Sequence, residues 1–90
     1  MGRIKIGKPE KEKISSFNVE NWPIWECEPS NFDWEYDEDE ICYILEGKVN
    51  VTTDDGEQVE IQKGDLVSFP KGLKCNWDVK EKIRKHYKLG

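Results

Sequence analysis

The chain has 90 residues, with 14 Lys and Arg against 19 Asp and Glu, and a formal net charge of −5. This length allows one domain, since a second hydrophobic core would need roughly 50 more residues. Disordered chains are poor in aromatic residues, so the four Trp, three Tyr and three Phe indicate a folded globular domain.

The charge is unevenly distributed along the chain. Between Lys13 and Lys48 there is no Lys or Arg, while ten acidic residues fall there. Nucleic-acid binding requires a basic face, and only residues 80–88 resemble one. A charged terminal strand of this kind usually faces solvent, so we expect no nucleic-acid partner.

The sequence also bears on compartment and redox state. No apolar run approaches the roughly 20 residues that span a bilayer, and no apolar segment follows the N-terminal charges as in a secretory signal. We therefore expect a cytoplasmic protein with no membrane partner. Cys27, Cys42 and Cys75 are widely spaced and form no CxxC pair, so reduced thiols are expected rather than a disulfide framework or a zinc ribbon.

The predicted elements are short and mostly extended. Residues 3–7 alternate and predict an edge strand, residues 9–16 a helical turn, and residues 18–23 an irregular segment. From residue 24 onward the hydrophobic period is two, which is typical of strands. The predicted strands are 24–28, 32–37, 40–46, 49–53, 58–62, 66–69, 73–79 and 83–89.

Turn residues separate these strands. Asp55 and Gly56 predict a tight hairpin, because both turn positions tolerate positive φ, and Gly47 and Gly64 are placed at the next two bends. Eight short strands with no helix-sized segment between them predict an all-β sandwich or closed barrel. We expect one domain over residues 1–90, with residues 1–23 as an N-terminal strand and irregular arm and residues 24–90 as the barrel.

Two segments resemble the signature motifs of the cupin superfamily. The first runs from Trp34 through Glu40 to Gly47, and the second runs from Gly64 to Trp77. In cupins the first motif is HxH, three or four residues, E, then six residues to a Gly. The second is G(D), a strand, PxG, two residues and a His. The resemblance implies a single jelly-roll barrel, or double-stranded β-helix, with a pocket between its two sheets.

A narrower resemblance suggests one function class. Residues 22–26 and 70–75 are similar to a group of very small stand-alone cupins. These are grouped with the cupin domains of (S)-ureidoglycine aminohydrolase. The resemblance therefore implies, as one alternative, an enzyme of ureide or related small-metabolite chemistry, with or without a divalent metal.

Departures from the cupin pattern argue against a metal. The two His of the first motif fall on Trp34 and Tyr36, its Glu falls on Glu40, and the His of the second motif falls on Cys75. An indole nitrogen can only donate, and a phenol ligates only after costly deprotonation. We expect no tightly bound transition metal. A zinc site made of Tyr36, Glu40 and Cys75 is the less favoured alternative.

Side-chain parity predicts the pocket lining. Residues two apart on a strand share a face. If Glu40 and Cys75 point inward, as the resemblance implies, Tyr36 and Trp77 line the same cavity and Trp34 lies at its edge. An aromatic pocket with few polar groups has the general form of a small-molecule site. Its desolvated carboxylate would suit a cationic or amide-bearing ligand better than an anionic one.

The catalytic candidates are Glu40 and Cys75. A nucleophilic Cys75 would need a nearby cation or His, and the only histidine, His86, lies on the polar parity of its strand. We therefore expect His86 to face solvent and the Cys75 thiol to be buried and protonated.

The N-terminal aromatics have several interpretations. Trp22 and Trp25 could stack on a ligand, but such residues more often plug a barrel end or bury a dimer seam, which helps a core this small. The edge strand 3–7 offers a surface for pairing with a second subunit, so a homodimer is one expectation.

Two function classes remain. The favoured one is a small stand-alone cupin that binds a small polar metabolite in its aromatic pocket, because all three His positions of the pattern are lost. The alternative is the cupin-type enzyme described above.

Overall fold

The computed structural model describes residues 4–90, and its fold is dominated by two long strands. The elements in chain order are β1 Lys5–Gly7, α1 Lys11–Ser16, a 3₁₀ turn Val19–Asn21, β2 Ile24–Cys27, β3 Ser30–Glu35, β4 Glu40–Thr53, β5 Gln58–Gln62, β6 Leu66–Phe69 and β7 Lys74–Leu89. No helix within residues 4–90 is long and apolar enough to cross a membrane.

The strands form one antiparallel sheet that surrounds the core. Its order is β1-β6-β4-β7-β2, with β3 also paired to β7 and β5 also paired to β4. The long strands β4 and β7 are paired along almost their whole length, from Glu40 opposite Leu89 to Thr53 opposite Cys75. The all-β jelly-roll prediction is confirmed.

Two predicted strand breaks are absent, because four predicted strands merge into β4 and β7. Gly47 was expected at a bend, but it lies inside β4 with φ of 102°. The pairing of β4 with β7 shifts register around it. A Cβ on Gly47 would collide with the backbone of Lys82 and Ile83. Glycine is therefore required here for a bulge that bends a continuous strand, and not for a turn between two strands.

The remaining predictions are met closely. The hairpin at Gly56 joins β4 to β5, with Val51 opposite Val59. The predicted helical turn is α1, and a 3₁₀ turn that the sequence pattern did not reveal follows it. Of the predicted edge strand, Lys5–Gly7 is observed, pairing with β6, while Arg3 lies outside the described residues.

Alternation along the strands produces the core. In β4 the residues at even spacing from Glu40 to Ile44 are buried, and in β7 the same holds from Cys75 to Val79. The buried cluster comprises Tyr36, Cys42, Ile44, Val49, Val51, Ile61, Val67, Phe69, Leu73, Cys75, Trp77, Val79 and Ile83. One end of this core is aromatic, and a cleft opens there.

Candidate functional site

The cleft has a volume of about 290 Å³. Such a volume is at the lower end of the roughly 300–1,000 Å³ that is typical of small-molecule sites. Its lining combines six aromatic side chains, two of them tyrosines, with one carboxylate, one ammonium and one leucine. The lining residues are Trp25, Phe32, Trp34, Tyr36, Glu40, Trp77, Lys85, Tyr87 and Leu89.

Three neighbouring strands supply one aromatic wall. Phe32 of β3 lies opposite Trp77 of β7 in the sheet register, and their rings stack with centroids 6.2 Å apart and an interplanar angle of 17°. Trp25 of β2 stands edge-on to Trp77, with centroids 6.1 Å apart. Trp25 therefore belongs to the cleft wall.

Tyr36 and Trp34 form the other side of the cleft. The Tyr36 ring stacks on Phe69 with centroids 4.7 Å apart, and its residue is 3% exposed. Trp34 meets Tyr36 edge-on at 6.4 Å and remains 52% exposed. This agrees with the predicted position of Trp34 at the edge. The exposed indole of Trp34 thus forms the rim of the cleft.

The floor of the cleft carries a buried ion pair. Lys85 Nζ donates to Glu40 Oε2 at 2.7 Å, and the two side chains are 7% and 10% exposed. The ammonium also lies 4.8 Å from the Trp77 ring centroid and 5.2 Å from that of Trp25. At these distances a cation is attracted by the ring faces. Glu40 is thus neutralised by Lys85, a partner that was not considered when a cationic or amide-bearing ligand was expected to suit the carboxylate.

Lys85 is the functional candidate that sequence reasoning missed. It has the same parity as Ile83 and Tyr87, both of which face the interior or the cleft. A charged residue at an apolar-parity position was the available signal. The partner could not be read from the sequence in the same way, because Glu40 lies 45 positions away.

Cys75 does not line this cleft. Cys75 is 6% exposed, and it borders a separate, more open groove together with Trp34, Thr53 and Asp54. Burial raises the pKa of its thiol to about 11, and the carboxylates of Asp54, Asp33 and Glu40 add to this effect while Trp77 opposes it. The expectation of a buried, protonated thiol agrees with this position, whereas the placement of Cys75 in the pocket lining does not.

Two further weakly acidic groups are the Tyr36 phenol in the cleft wall and the buried Cys42 thiol near the ion pair. Burial, with smaller contributions from Glu40 and the two neighbouring thiols, raises the pKa of the Tyr36 phenol well above its usual value. Burial likewise raises the pKa of the Cys42 thiol to about 12, although the nearby Lys85 ammonium opposes the shift. Both groups are therefore neutral hydrogen-bonding or packing groups near neutral pH, and neither is an anionic metal ligand or nucleophile.

The sequence pattern predicted that His86 faces solvent, but the structure shows it partly buried and bonded to the N-terminal arm. Its Nδ1 lies 2.8 Å from the Trp22 carbonyl oxygen, and the neighbouring Tyr87 amide donates to the Pro23 carbonyl. These bonds tie the N-terminal arm to β7. The arm thereby holds β2, and with it Trp25, against the cleft.

The residues at the cupin metal position do not fit a metal. Glu40 and Cys75 are the pattern positions that carry common ligand groups, but one oxygen of Glu40 already accepts the Lys85 ammonium, and Cys75 does not line the cleft. No group of three or more His, Cys, Asp or Glu within residues 4–90 is arranged to hold an ion. The one carboxylate in the cleft lining is therefore already paired with the Lys85 ammonium.

Comparison with known proteins places this cupin fold in a family. The sequence profile of the EutQ-like cupin domain matches residues 15–87. The chain therefore belongs to the EutQ-like cupin domain family, and the resemblance to cupins is confirmed at the level of the superfamily.

The sequence and the structure of the EutQ protein of Clostridioides difficile are both similar to this chain. The chain is 34% identical over 89 residues to "Acetate kinase EutQ" of Clostridioides difficile strain 630, covering 91% of this chain and 56% of that protein. The structure of the Clostridioides difficile EutQ protein matches with a TM-score of 0.65 and 33% identity, over 71% of this chain and 50% of that one. The chain thus spans about half the length of this relative.

Another protein matches along its whole length. The crystal structure of a DUF861 family protein from Thermotoga maritima has a TM-score of 0.97 and 61% identity. It covers 98% of this chain and 100% of that chain. The similarity to this protein therefore extends over nearly the whole of both chains.

Proposed function

We propose that this chain is a small-molecule binding module whose ligand, a small polar metabolite, occupies the aromatic cleft. The observation that carries the proposal is the Lys85–Glu40 ion pair in the floor of an otherwise apolar cleft. A buried ion pair is often no more stabilising than apolar residues of the same volume. Its presence at an open cleft, where apolar residues would serve packing as well, supports a role in orienting a ligand.

The mechanism of binding follows from the division of the cleft. The aromatic walls offer flat apolar surface, and a ligand ring or alkyl group gains from leaving water there. The ion pair offers a donor and an acceptor in fixed positions, since two indoles and the salt bridge hold the ammonium in place. Trp34 at the rim is placed to close over the ligand.

The kinase activity in the name of the Clostridioides difficile relative is not part of this proposal. Phosphoryl transfer requires several positive charges around the phosphates. Among the lining residues of the cleft, Lys85 is the only cation, and Glu40 neutralises it. The chain covers 56% of that relative, so the relative also has a region with no counterpart in this chain.

The ureide-type enzyme remains the alternative prediction. It would need an acid–base or metal group at the reacting atoms. Glu40 and Lys85 are the two candidates that the cleft offers. Turnover of a ureide that is lost in Glu40→Gln, with the fold retained, would favour this alternative over a binding role.

A ligand screen with rim variants tests the proposal. Small amines, amides, ureides and carboxylates are titrated into isotope-labelled protein, and the backbone amide resonances are followed by NMR. A ligand should shift resonances of β2, β3 and the 83–89 part of β7. Trp34→Ala should weaken its binding by about two- to tenfold, the range expected for loss of one aromatic contact.

The matched control is Phe17→Ala. Phe17 is also an exposed aromatic residue, but it is not part of the cleft lining, so its removal should leave affinity unchanged. Shifts confined to residues outside the cleft, or equal affinity for the wild type and Trp34→Ala, would contradict the proposal.

A further inference from the structure

The ion pair in the cleft floor retains unused hydrogen-bonding capacity. Within residues 4–90, the Lys85–Glu40 bond is the single side-chain hydrogen bond of each residue, and it uses Oε2 of the carboxylate. Oε1 of Glu40 remains an acceptor. An ammonium has three donors, so Lys85 retains N–H groups as well. Both residues line the cleft.

The charge of the lining restricts what can use this capacity. Glu40 and Lys85 are its only charged members, so the floor has no net charge. Any ligand in the cleft would meet both the Glu40 carboxylate and the Lys85 ammonium. The carboxylate would repel an anionic ligand, and the ammonium would repel a cationic one. Each would leave a like-charged group beside it in a poorly hydrated site, which is unfavourable.

A neutral ligand with a donor next to an acceptor avoids this penalty. The oxygen and nitrogen of an amide are roughly 2.2 Å apart by standard bond lengths, and the 2.7 Å bond between Lys85 Nζ and Glu40 Oε2 holds the ammonium and the carboxylate side by side. The amide oxygen can accept from Lys85 while the amide N–H donates to Glu40. The aromatic lining of the cleft favours a flat group attached to that amide.

We propose that the cleft recognises a planar, uncharged ligand with an exposed amide edge, such as a primary carboxamide or a lactam ring, bound through Lys85 and Glu40. This inference rests on the proposed binding function and specifies its ligand class. In this arrangement Lys85 and Glu40 together determine specificity. Neither alone sets the preference, because each suppresses binding of the ions that the other would attract.

Three probes of the same shape test the charge preference. Benzamide, benzoate and benzamidine share a phenyl ring and a planar substituent, but are neutral, anionic and cationic near neutral pH. Each is titrated into the wild-type protein and followed by NMR. Benzamide should shift the resonances of cleft residues and bind about tenfold more tightly than either ion, a difference of roughly 1.4 kcal/mol.

Single variants should redirect this preference. Lys85→Met leaves the Glu40 carboxylate alone and should make benzamidine the tightest probe. Glu40→Gln leaves the Lys85 ammonium alone and should make benzoate the tightest probe. The wild-type ranking requires no variant, so the proposal is testable even if one of them does not fold.

The outcomes separate this inference from the proposed function. If benzoate or benzamidine binds the wild-type cleft as tightly as benzamide, the cleft is a binding site but the amide preference is wrong. If no probe binds while another compound of the wider panel shifts cleft resonances, the amide class is likewise wrong and the binding function stands. If neither the probes nor the panel shift cleft resonances, both the amide preference and the proposed binding function are wrong.

Discussion

The two faces of β7 carry ion pairs of different kinds. On the outer face, Arg84 meets Glu26 at 2.9 Å and Lys82 meets Glu28 at 3.7 Å, and all four side chains are at least 41% exposed. On the inner face, Lys85 meets Glu40 at 2.7 Å with both side chains nearly buried. Arg84 and Lys85 are consecutive, so the alternation of the strand alone places one in water and the other in the cleft.

The two kinds of ion pair differ in how much each charge depends on its partner. An exposed pair contributes about 0–1 kcal/mol, because water and salt screen each charge and can replace either partner. In the cleft, each charge of the pair has given up most of its hydration and depends on the other. The outer pairs are thus dispensable, whereas the inner pair is a unit whose two members must be kept or replaced together.

The largest expected effect is on stability when one member of the inner pair is removed. Glu40→Ala and Lys85→Ala should each lower the free energy of unfolding by about 3–5 kcal/mol, since each leaves an unpaired charge in a poorly hydrated site. Chemical denaturation measures the change. Glu26→Ala is the matched control on the outer face and should cost less than about 1 kcal/mol. Equal losses at the two faces would remove the distinction.

The alkaline limit of stability should reveal the buried Cys75 thiol. Burial raises the pKa of Cys75 from 9.0 to about 11, so the unfolded chain releases this proton at lower pH than the folded one. The corresponding stability is complete below pH 9 and is lost as pH rises toward 11. Two pKa units correspond to about 2–3 kcal/mol.

A difference measurement isolates that thiol. The free energy of unfolding of the wild type and of Cys75→Ala is compared at increasing pH above 9. The difference between the two proteins should shrink as pH rises, because the variant lacks the titrating group. A constant difference would show that the Cys75 thiol is not desolvated in the folded protein.

Neutralising both members of the inner pair should cost less than the single changes suggest. In Glu40→Gln/Lys85→Met no unpaired charge remains. Its loss of unfolding free energy should therefore be smaller, by about 0.5–3 kcal/mol, than the summed losses of Glu40→Gln and Lys85→Met. Denaturation of the four proteins completes the cycle. The same cycle on Glu26 and Arg84 should give a coupling of less than about 1 kcal/mol. Additive losses at the inner pair would contradict its description as a unit.

The smallest expected effect is that of metal removal. The retained motif carboxylate, Glu40, already binds an ammonium. Dialysis against a chelator should therefore leave the melting temperature and ligand affinity unchanged. Stoichiometric manganese, iron or nickel in elemental analysis of the purified protein, lost in Glu40→Ala, would overturn this prediction.

Much of the fold was predictable because local signals and packing agree. The period of two placed the strands, and the Asp55-Gly56 signal placed the β4–β5 hairpin. The continuity of β4 and β7 was not predictable, because a glycine with positive φ is equally typical of a turn and of a bulge. Only the close approach of β7 at Gly47 decides between them.

The site was predictable only in part. Parity and the cupin motifs placed Trp34, Tyr36, Glu40 and Trp77 around one cleft. Cys75 was misplaced because a short residue at an inward position can stay behind larger neighbours without reaching the cavity. Lys85 was missed because a lysine on a terminal strand usually faces solvent, and its burial depends on a carboxylate and two indoles from other strands.

NMR of the lysine side chains tests the account most directly. If the Lys85 ammonium is held between Glu40 and the Trp25 and Trp77 rings, its terminal CH₂ protons should be shifted upfield by the ring currents. Its ammonium protons should also exchange slowly enough with water to be observed. Lys82, three residues earlier on the outer face, should show neither property. Indistinguishable Lys82 and Lys85 signals in the folded protein would contradict the existence of a buried ion pair in the cleft.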